Sequence, residues 1–256
     1  MNFYQRLVNA KEHQGGLFVV LIDPDGFKTK HLDELFGLAN EACIDAFFIG
    51  GSYVFRNKVD ETIRLLRQNL KLPTVLFPGS PLQISNEADA LLLLSLISGR
   101  NAELLIGKHV EAVPLLLDSS LDIIPTGYML IDGGRPSSVS YISNTTPIPH
   151  DKNEIALATA LAGQMLGLKL IYADAGSGAN VAVSDGMIKR LSQTLSVPLV
   201  VGGGIKTPEE VYNKILAGAN AVVVGNVLEK APSLVIEMSL AAKEASSKLI
   251  VNANNV

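Results

Sequence analysis

Three glycine-rich segments in the last part of the chain have the composition of phosphate-binding loops. Segment 202–204 is Gly-Gly-Gly, segment 176–178 is Gly-Ser-Gly, and segment 225–226 is Gly-Asn. Glycine has no Cβ, so a backbone N–H group can approach a ligand closely there. Thr207, Pro208 and two glutamates soon follow the first segment, which is typical of a helix start. A helix N-terminus adds oriented donors and partial positive charge, so the sequence predicts a bound phosphate.

Acidic and hydroxyl side chains follow other apolar runs. Asp23 and Asp25 come directly after the first run, and Asp174 precedes the Gly-Ser-Gly segment. Carboxylate oxygens bind hard cations such as Mg²⁺, although Asp and Gly are also common in ordinary turns. Asp174 is a candidate to orient or deprotonate a substrate hydroxyl. Ser52 closes a Gly-Gly-Ser segment and would offer a hydroxyl to the same region.

The elements that position these residues are predicted from hydrophobic patterning. Eight apolar runs are continuous rather than alternating, which is typical of parallel strands buried on both faces. The predicted strands are 17–22, 46–49, 73–77, 90–94, 128–131, 170–173, 198–201 and 221–224. Segments with helical periodicity lie between them, at 28–42, 55–70, 153–168, 184–195, 207–217 and 232–248.

Eight strands alternating with helices predict an α/β fold, a closed (βα)8 TIM barrel that forms a single domain over residues 1–256. The glycine segments follow the sixth, seventh and eighth strands, and barrel phosphate sites are commonly built after the seventh and eighth. An open doubly wound sheet would usually carry its glycine loop after the first strand. The segment 132–152 lacks helical period and is predicted to be a functional loop.

The segment between the third and fourth predicted strands, residues 78–89, is too short for a regular helix. We expect a loop or one short turn there, and therefore a gap in the outer ring of helices. From the residues alone, this gap either admits an extended apolar ligand or is plain irregularity.

Composition excludes several classes of protein. The formal net charge of -4 does not suit a nucleic-acid partner, which requires a basic surface. A single cysteine, Cys43, excludes an internal disulfide and favours a reducing compartment. The first residues lack a signal-peptide pattern, and no apolar run is long enough for a transmembrane segment. These features predict a cytoplasmic protein. The four histidines are scattered without metal-ligand spacing.

Motifs along nearly the whole chain resemble the geranylgeranylglyceryl phosphate synthases and related prenylglyceryl phosphate synthases. They lie at 23–25, 50–52, 77–79, 140–149, 172–178, 202–208 and 224–226. The Ser-Asn-Thr-x-Pro-Ile-Pro part is the most specific, and it points to the longer-chain archaeal and bacterial group. The resemblance implies a TIM barrel with the third helix replaced by a loop. It also implies Mg²⁺-dependent transfer of a geranylgeranyl or similar prenyl group from a prenyl diphosphate to the terminal hydroxyl of sn-glycerol 1-phosphate, with loss of diphosphate.

By position, the resemblance assigns Asp23 and Ser52 to the Mg²⁺ site, and Asp174 and Asp23 to catalysis. The residues it assigns to glycerol phosphate are Tyr172, Ala173, Asp174, Ala175, Gly176, Ser177, Gly178, Gly203, Gly204, Gly225 and Asn226. The family usually has Glu in a Tyr-x-Glu element, whereas this chain has the shorter Asp174. The family also implies a homo-oligomer, and a lipid product that partitions to membranes.

Two other functions fit part of the pattern. Another phosphate-binding barrel enzyme, such as a sugar-phosphate isomerase or epimerase, would explain the glycine loops but not the Ser-Asn-Thr-x-Pro-Ile-Pro segment. A non-catalytic protein that binds a phosphorylated ligand would explain a shortened acid at position 174.

Overall fold

A computed structural model describes residues 1–13, 15–27, 29–56 and 58–254. Eight parallel strands close a barrel in sequence order. They are β1 Leu17–Ile22, β2 Ala46–Ile49, β3 Thr74–Leu76, β4 Ala90–Leu96, β5 Asp122–Leu130, β6 Leu170–Asp174, β7 Leu199–Gly202 and β8 Ala221–Val224. Closure is direct, since Val20 in β1 pairs with Val224 in β8. The predicted TIM barrel is therefore confirmed.

Helices surround the barrel and also close its N-terminal end. They are α1 Phe3–Glu12, α2 Thr29–Ala39, α3 Val59–Asn69, α4 Lys108–Leu116, α5 Ser138–Ser143, α6 Asn153–Met165, α7 Asp185–Ser192, α8 Pro208–Leu216, α9 Asn226–Lys230 and α10 Leu234–Asn254. Phe3 from α1 is buried, and its ring meets that of Phe48 at 5.4 Å between centroids. This end is therefore sealed, which leaves the carboxyl ends of the strands as the open face.

The third unit has the predicted gap. A single 3₁₀ turn, Pro81–Gln83, stands between β3 and β4 in place of a helix. The Gln83 side chain fixes this turn, because its Nε2 donates to the carbonyl of Gly51 at 2.9 Å and its Oε1 accepts from the Gly51 N–H group. The loops after β2 and β3 are thereby joined at the mouth of the barrel.

Several elements differ from the sequence prediction. β5 begins six residues before the predicted 128, because Pro125 and Gly127 lie within the strand and obscured its pattern. Segment 132–152 is not wholly loop: α5 forms inside it, with Ser137 accepting from the Ser140 N–H group as its N-cap. Helices α1, α4 and α9 were not predicted. Positions 28 and 57, which belong to the predicted helices 28–42 and 55–70, lie outside the described residues.

Candidate active site

A cavity of about 610 Å³ opens at the carboxyl ends of the strands. Loops from all parts of the barrel border it, which is where TIM-barrel enzymes place their sites. Of the predicted site residues, those on its wall are Asp23, Ser52, Tyr172, Asp174, Ser177, Gly178, Gly203, Gly204, Gly225 and Asn226. The structure thus brings together residues that are more than 200 positions apart.

Three predicted residues do not border the cavity. Ala173 is fully buried among the residues between the barrel and its helices, together with Ala175. The reason is strand alternation: Tyr172 and Asp174 point into the barrel, so Ala173 between them points out. Gly176 contributes through its backbone, whose N–H group donates to Asp174 Oδ1 at 2.7 Å. The side chains of Ala173 and Ala175 therefore do not face the cavity, and the assignment of these two residues to glycerol phosphate stays a prediction.

The three glycine segments meet at one side of the cavity. Asn226 joins two of them, because its Oδ1 accepts from the Ser177 hydroxyl at 2.9 Å and from the Gly178 N–H group at 3.1 Å. Gly203 and Gly204 have φ of 78° and 74°, a region that favours glycine. Within the described residues, the N–H groups of Ser177, Gly204 and Gly225 donate to no protein acceptor. They are available to an anion.

Helix α8 contributes less to this anion site than predicted. It begins at Pro208 and has a capping box, in which Thr207 accepts from the Glu210 N–H group. The Glu210 carboxylate in turn accepts from the N–H groups of Lys206 and Thr207, at 2.6 and 3.1 Å. These donors are already satisfied by the protein. Within the described residues, the glycine backbone therefore offers more free N–H groups than the helix start.

Asp174 lies at the floor of the cavity and is only 6% exposed. Each of its oxygens has one protein donor: the Tyr128 hydroxyl donates to Oδ2 at 2.6 Å, and the Gly176 N–H group donates to Oδ1. Burial raises the pKa of this carboxyl, and the two donors lower it in part. A carboxylate oxygen carries two lone pairs, so Asp174 can still accept a proton from a ligand hydroxyl.

Tyr172 stands beside Asp174 in the barrel interior. Its ring stacks on that of Phe77 at 5.1 Å and meets that of Tyr128 edge-on at 5.6 Å. The absence of a side chain at Gly202 leaves space for the Tyr172 hydroxyl. That hydroxyl makes no hydrogen bond to another described residue and borders the cavity, so it is free to contact a ligand.

Asp23 and Ser52 border the same cavity on the loops after β1 and β2. Because β1 pairs with β8, the Asp23 loop is next to the part of the cradle formed by Gly225 and Asn226. Burial raises the pKa of Asp23, and an Asp25 N–H group that donates to Oδ1 at 2.9 Å opposes the shift. Glu229 from α9 is a second acid here. Its pKa is raised by burial and then by the Asp23 charge. Both side chains lie close to Gly26, since a Cβ added there would be 3.3 Å from Asp23 Cβ and 3.3 Å from the Glu229 carboxylate oxygens.

The oxygens of Asp23, Ser52 and Glu229 fit a magnesium ion that is bound jointly by the protein and by oxygens of a substrate. Two carboxylates of like charge and a hydroxyl are hard oxygen donors, and Mg²⁺ is usually bound by one or two carboxylates plus phosphate oxygens. The described residues contain no group of three or more His, Cys, Asp or Glu side chains able to hold a metal alone. A cation here would therefore need oxygens from a bound ligand.

Asp25 does not belong to this site. Its carboxylate accepts from the backbone N–H groups of Phe55 and Arg56, the second at 3.1 Å. It therefore anchors the loop after β2. Asp23 and Asp25 follow β1 and were both candidates to bind a cation, but of these two only Asp23 borders the cavity.

The remaining wall is an apolar channel. It includes Leu92 and Leu94 together with Leu91 and Leu93, although successive residues of a strand point to opposite faces. The cavity therefore continues beside β4 to the outer face of the sheet, through the gap where no α-helix stands between β3 and β4. Ala112 of α4 lines the channel there. The gap is therefore part of the site rather than plain irregularity.

Sequence reasoning missed two residues of the site. Tyr128 lies on β5 and pairs with Tyr172 of β6, a register that no motif reveals. Glu229 lies on a five-residue helix next to β1 only because the barrel closes. Four cationic side chains also border the cavity: Lys108, Arg135, Lys206 and Lys230. Of these four, only Lys206 lies within a motif, at 202–208.

A TIM barrel with a three-loop glycine cradle, a buried acid and an apolar channel is a phosphate-binding barrel protein suited to an amphipathic ligand. The sequence profile of the PcrB family matches residues 8–244, and the chain belongs to that family. The geranylgeranylglyceryl phosphate synthase of Chitinophaga pinensis is 48% identical over 96% of this chain and 98% of its own. That of Spirosoma linguale is 47% identical over 91% and 94%.

A solved structure agrees in fold. The (S)-3-O-geranylgeranylglyceryl phosphate synthase of Thermoplasma acidophilum, in complex with sn-glycerol-1-phosphate, superposes with a TM-score of 0.88 at 31% identity. The match covers 95% of this chain and 99% of that one. The resemblance inferred from the motifs is therefore confirmed.

Proposed function

We propose that this protein transfers a geranylgeranyl or similar prenyl group from a prenyl diphosphate to the terminal hydroxyl of sn-glycerol 1-phosphate. The product is an ether, and diphosphate is released. One observation carries the proposal: a single cavity borders the glycine cradle, Asp174 and the apolar channel. The names of the two bacterial relatives and the bound ligand of the Thermoplasma enzyme support it.

The acceptor would bind at the cradle. Its phosphate would receive the N–H groups of Ser177, Gly204 and Gly225, which lack acceptors within the described residues. Gly203 of this cradle lies directly against Asp174, because a Cβ at that glycine would overlap Asp174 Oδ1. The acceptor hydroxyl would therefore lie near Asp174, and the free Tyr172 hydroxyl would contact the glycerol.

The donor would bind along the rest of the cavity. Its diphosphate would lie near Asp23, Ser52 and Glu229, where these oxygens would hold Mg²⁺ together with phosphate oxygens. When bound, Mg²⁺ would neutralise the charge that develops on the departing diphosphate. The prenyl chain would occupy the channel between β4 and α4, whose leucines exclude water.

The reaction breaks the bond between the allylic carbon and the diphosphate oxygen and forms one between that carbon and the acceptor oxygen. The proton of the acceptor hydroxyl passes to Asp174. A base of ordinary strength suffices, because the carbon is cation-like when attack begins and the proton can leave late. The chain therefore contributes mainly positioning and electrostatic stabilisation.

The proposal also places the protein in the cytoplasm and makes it a homo-oligomer. No helix among the described residues combines the length and apolar character needed to cross a membrane. Val110, Val113 and Leu117 in and beside α4 are 66%, 48% and 76% exposed, which supports assembly with further copies of the chain. Light scattering after size-exclusion chromatography measures this directly.

Incubation with geranylgeranyl diphosphate, sn-glycerol 1-phosphate and Mg²⁺ tests the activity. We expect an ether lipid and diphosphate in equal amounts, and much slower turnover with the mirror-image sn-glycerol 3-phosphate. A sugar-phosphate isomerase would release no diphosphate, and a binding protein would retain glycerol phosphate without turnover. Absence of ether from protein that is folded and binds both substrates would refute the proposal.

A further inference from the structure

We propose that Tyr128 is a positioning residue for this reaction, which holds the Asp174 carboxylate toward the acceptor hydroxyl and acts only through that carboxylate. The proposal rests on the proposed function. Its first support is the hydrogen bond from the Tyr128 hydroxyl to Asp174 Oδ2, at 2.6 Å and fully buried. Bonds of this length to an ionised acceptor are charge-assisted and about twice as strong as neutral ones.

The Asp174 side chain is held from two sides. The Gly176 N–H group donates to Oδ1 at 2.7 Å, and this bond alone would let the carboxylate rotate. The second bond, from the Tyr128 hydroxyl to Oδ2, prevents that rotation. The backbone of Gly203 covers Oδ1. A carboxylate held in this way presents its remaining lone pairs in one direction, which is what a short acid requires to meet a bound hydroxyl.

Tyr128 is itself rigid. It is 5% exposed, and its ring packs edge-on against Phe77 at 5.8 Å and Tyr172 at 5.6 Å. Because Tyr128 pairs with Tyr172 and Leu130 with Asp174, the register of β5 and β6 places the hydroxyl beside the carboxylate. The acceptor would meet Asp174 rather than the Tyr128 hydroxyl, which is committed to that bond.

The titratable groups around Asp174 are few. Tyr128 from β5 and Tyr172 from β6 face it, and burial raises the pKa of both phenols well above the ordinary value, followed by the effect of the Asp174 charge. Gly202 at the end of β7 and Gly203 after it present no side chain. Asp23, Arg135, Lys206 and Glu229 border the same cavity without a resolved effect on the pKa of Asp174. Removal of the Tyr128 donor is therefore expected to raise that pKa.

The test is a double-mutant cycle of Tyr128→Phe and Asp174→Ala. Tyr128→Phe alone should lower kcat by about 10- to 100-fold, since a donor to a buried charge is lost, while KM for glycerol phosphate changes by less than about 3-fold. The acidic limb of the pH–kcat profile should move to higher pH, because ionised Asp174 is required. In the Asp174→Ala background, Tyr128→Phe should cost less than about 2-fold more.

A matched control is Tyr212→Phe, which removes a hydroxyl that accepts from Lys248 on the outer helices. It should leave kcat and the pH profile unchanged. An equal loss from Tyr128→Phe in both backgrounds, an effect confined to KM, or wild-type kcat would each overturn the proposal. Denaturant unfolding checks that each variant folds.

A readout without turnover separates this proposal from the proposed function. The pKa of the Asp174 carboxyl can be followed by ¹³C NMR, with assignment from Asp174→Asn. It should rise in Tyr128→Phe and fall with Tyr128→3-fluorotyrosine, which keeps the ring packing and strengthens the donor. An unchanged pKa in both would overturn the role of Tyr128 even in an active enzyme. The predicted shifts without any ether product would instead refute the proposed function.

Discussion

Gly203→Ala tests the packing that joins the phosphate cradle to the catalytic acid. A Cβ at this position would lie 2.6 Å from the Gly176 nitrogen and 2.8 Å from the Ala175 nitrogen, and closer still to Asp174 Oδ1. Two of these neighbours are backbone atoms, which cannot rotate away. The variant must therefore displace the loop after β6, and with it the carboxylate.

The expected cost has two parts. The φ of 78° at Gly203 places alanine in the left-handed region, which costs about 1–2 kcal/mol. Overpacking against the β6 loop adds about 1–3 kcal/mol. The free energy of unfolding should therefore fall by about 2–5 kcal/mol. Because the cradle is displaced as well, affinity for glycerol phosphate should fall by at least about tenfold, and kcat with it.

Gly167→Ala is the matched control. Gly167 has φ of 90°, but nothing lies within 4 Å of an added Cβ, and it follows α6 away from the cavity. It should lose only the conformational part, about 1–2 kcal/mol, and keep full affinity. Urea unfolding gives the stabilities, and calorimetric titration with sn-glycerol 1-phosphate gives the affinities. Equal losses in the two variants, or wild-type affinity in Gly203→Ala, would refute the reasoning.

Three further predictions concern the acid, the cation and the channel. Burial raises the pKa of Asp174, so its contribution to the free energy of unfolding is complete below its unfolded pKa of about 3.9 and is lost as pH rises through the higher folded pKa. Asp174→Asn cannot ionise, so this variant should not lose that stability and should unfold at a higher urea concentration at pH 7. Its kcat should fall by about 100-fold or more. Asp23→Asn should raise the Mg²⁺ concentration for half-maximal activity by about tenfold or more. Asp60→Asn, which removes an exposed carboxylate on the outer helix α3, should leave it unchanged. Equal values for the two variants would contradict the assigned site. Ala112→Phe should fill the channel and lower kcat/KM for geranylgeranyl diphosphate more than for the shorter geranyl diphosphate. Leu115→Phe, on the exposed side of α4, should change neither value. If Ala112→Phe lowered kcat/KM equally for the two prenyl diphosphates, the prenyl chain would bind elsewhere.

Much of the barrel could be predicted because buried parallel strands are continuous apolar runs. The bounds of β1, β2 and β8 agree with the prediction, and the order of the glycine loops correctly indicated a barrel. β5 was predicted too short because Pro125 and Gly127 resemble a turn, although the Pro125 carbonyl still accepts from the Lys169 N–H group at 2.8 Å. Tertiary pairing overrode local propensity there.

The candidate site was predictable only where its residues lie in motifs. Asp23, Asp174 and the glycines follow strands, so topology alone brings them to one end of the barrel. Glu229 and Tyr128 could not be inferred, because their neighbours depend on barrel closure and on the β5–β6 register. The direction of the Asp25 side chain likewise depends on backbone donors at 55 and 56, which no pattern shows.

The most direct test of the central claim follows the acceptor oxygen. sn-Glycerol 1-phosphate labelled with ¹⁸O in its terminal hydroxyl is incubated with geranylgeranyl diphosphate and Mg²⁺, and the products are analysed by mass spectrometry. Attack of that oxygen on the allylic carbon predicts that the ether keeps all of the label and that the released diphosphate carries none. Label in a phosphate ester, or no ether from folded protein, would contradict prenyl transfer at this site.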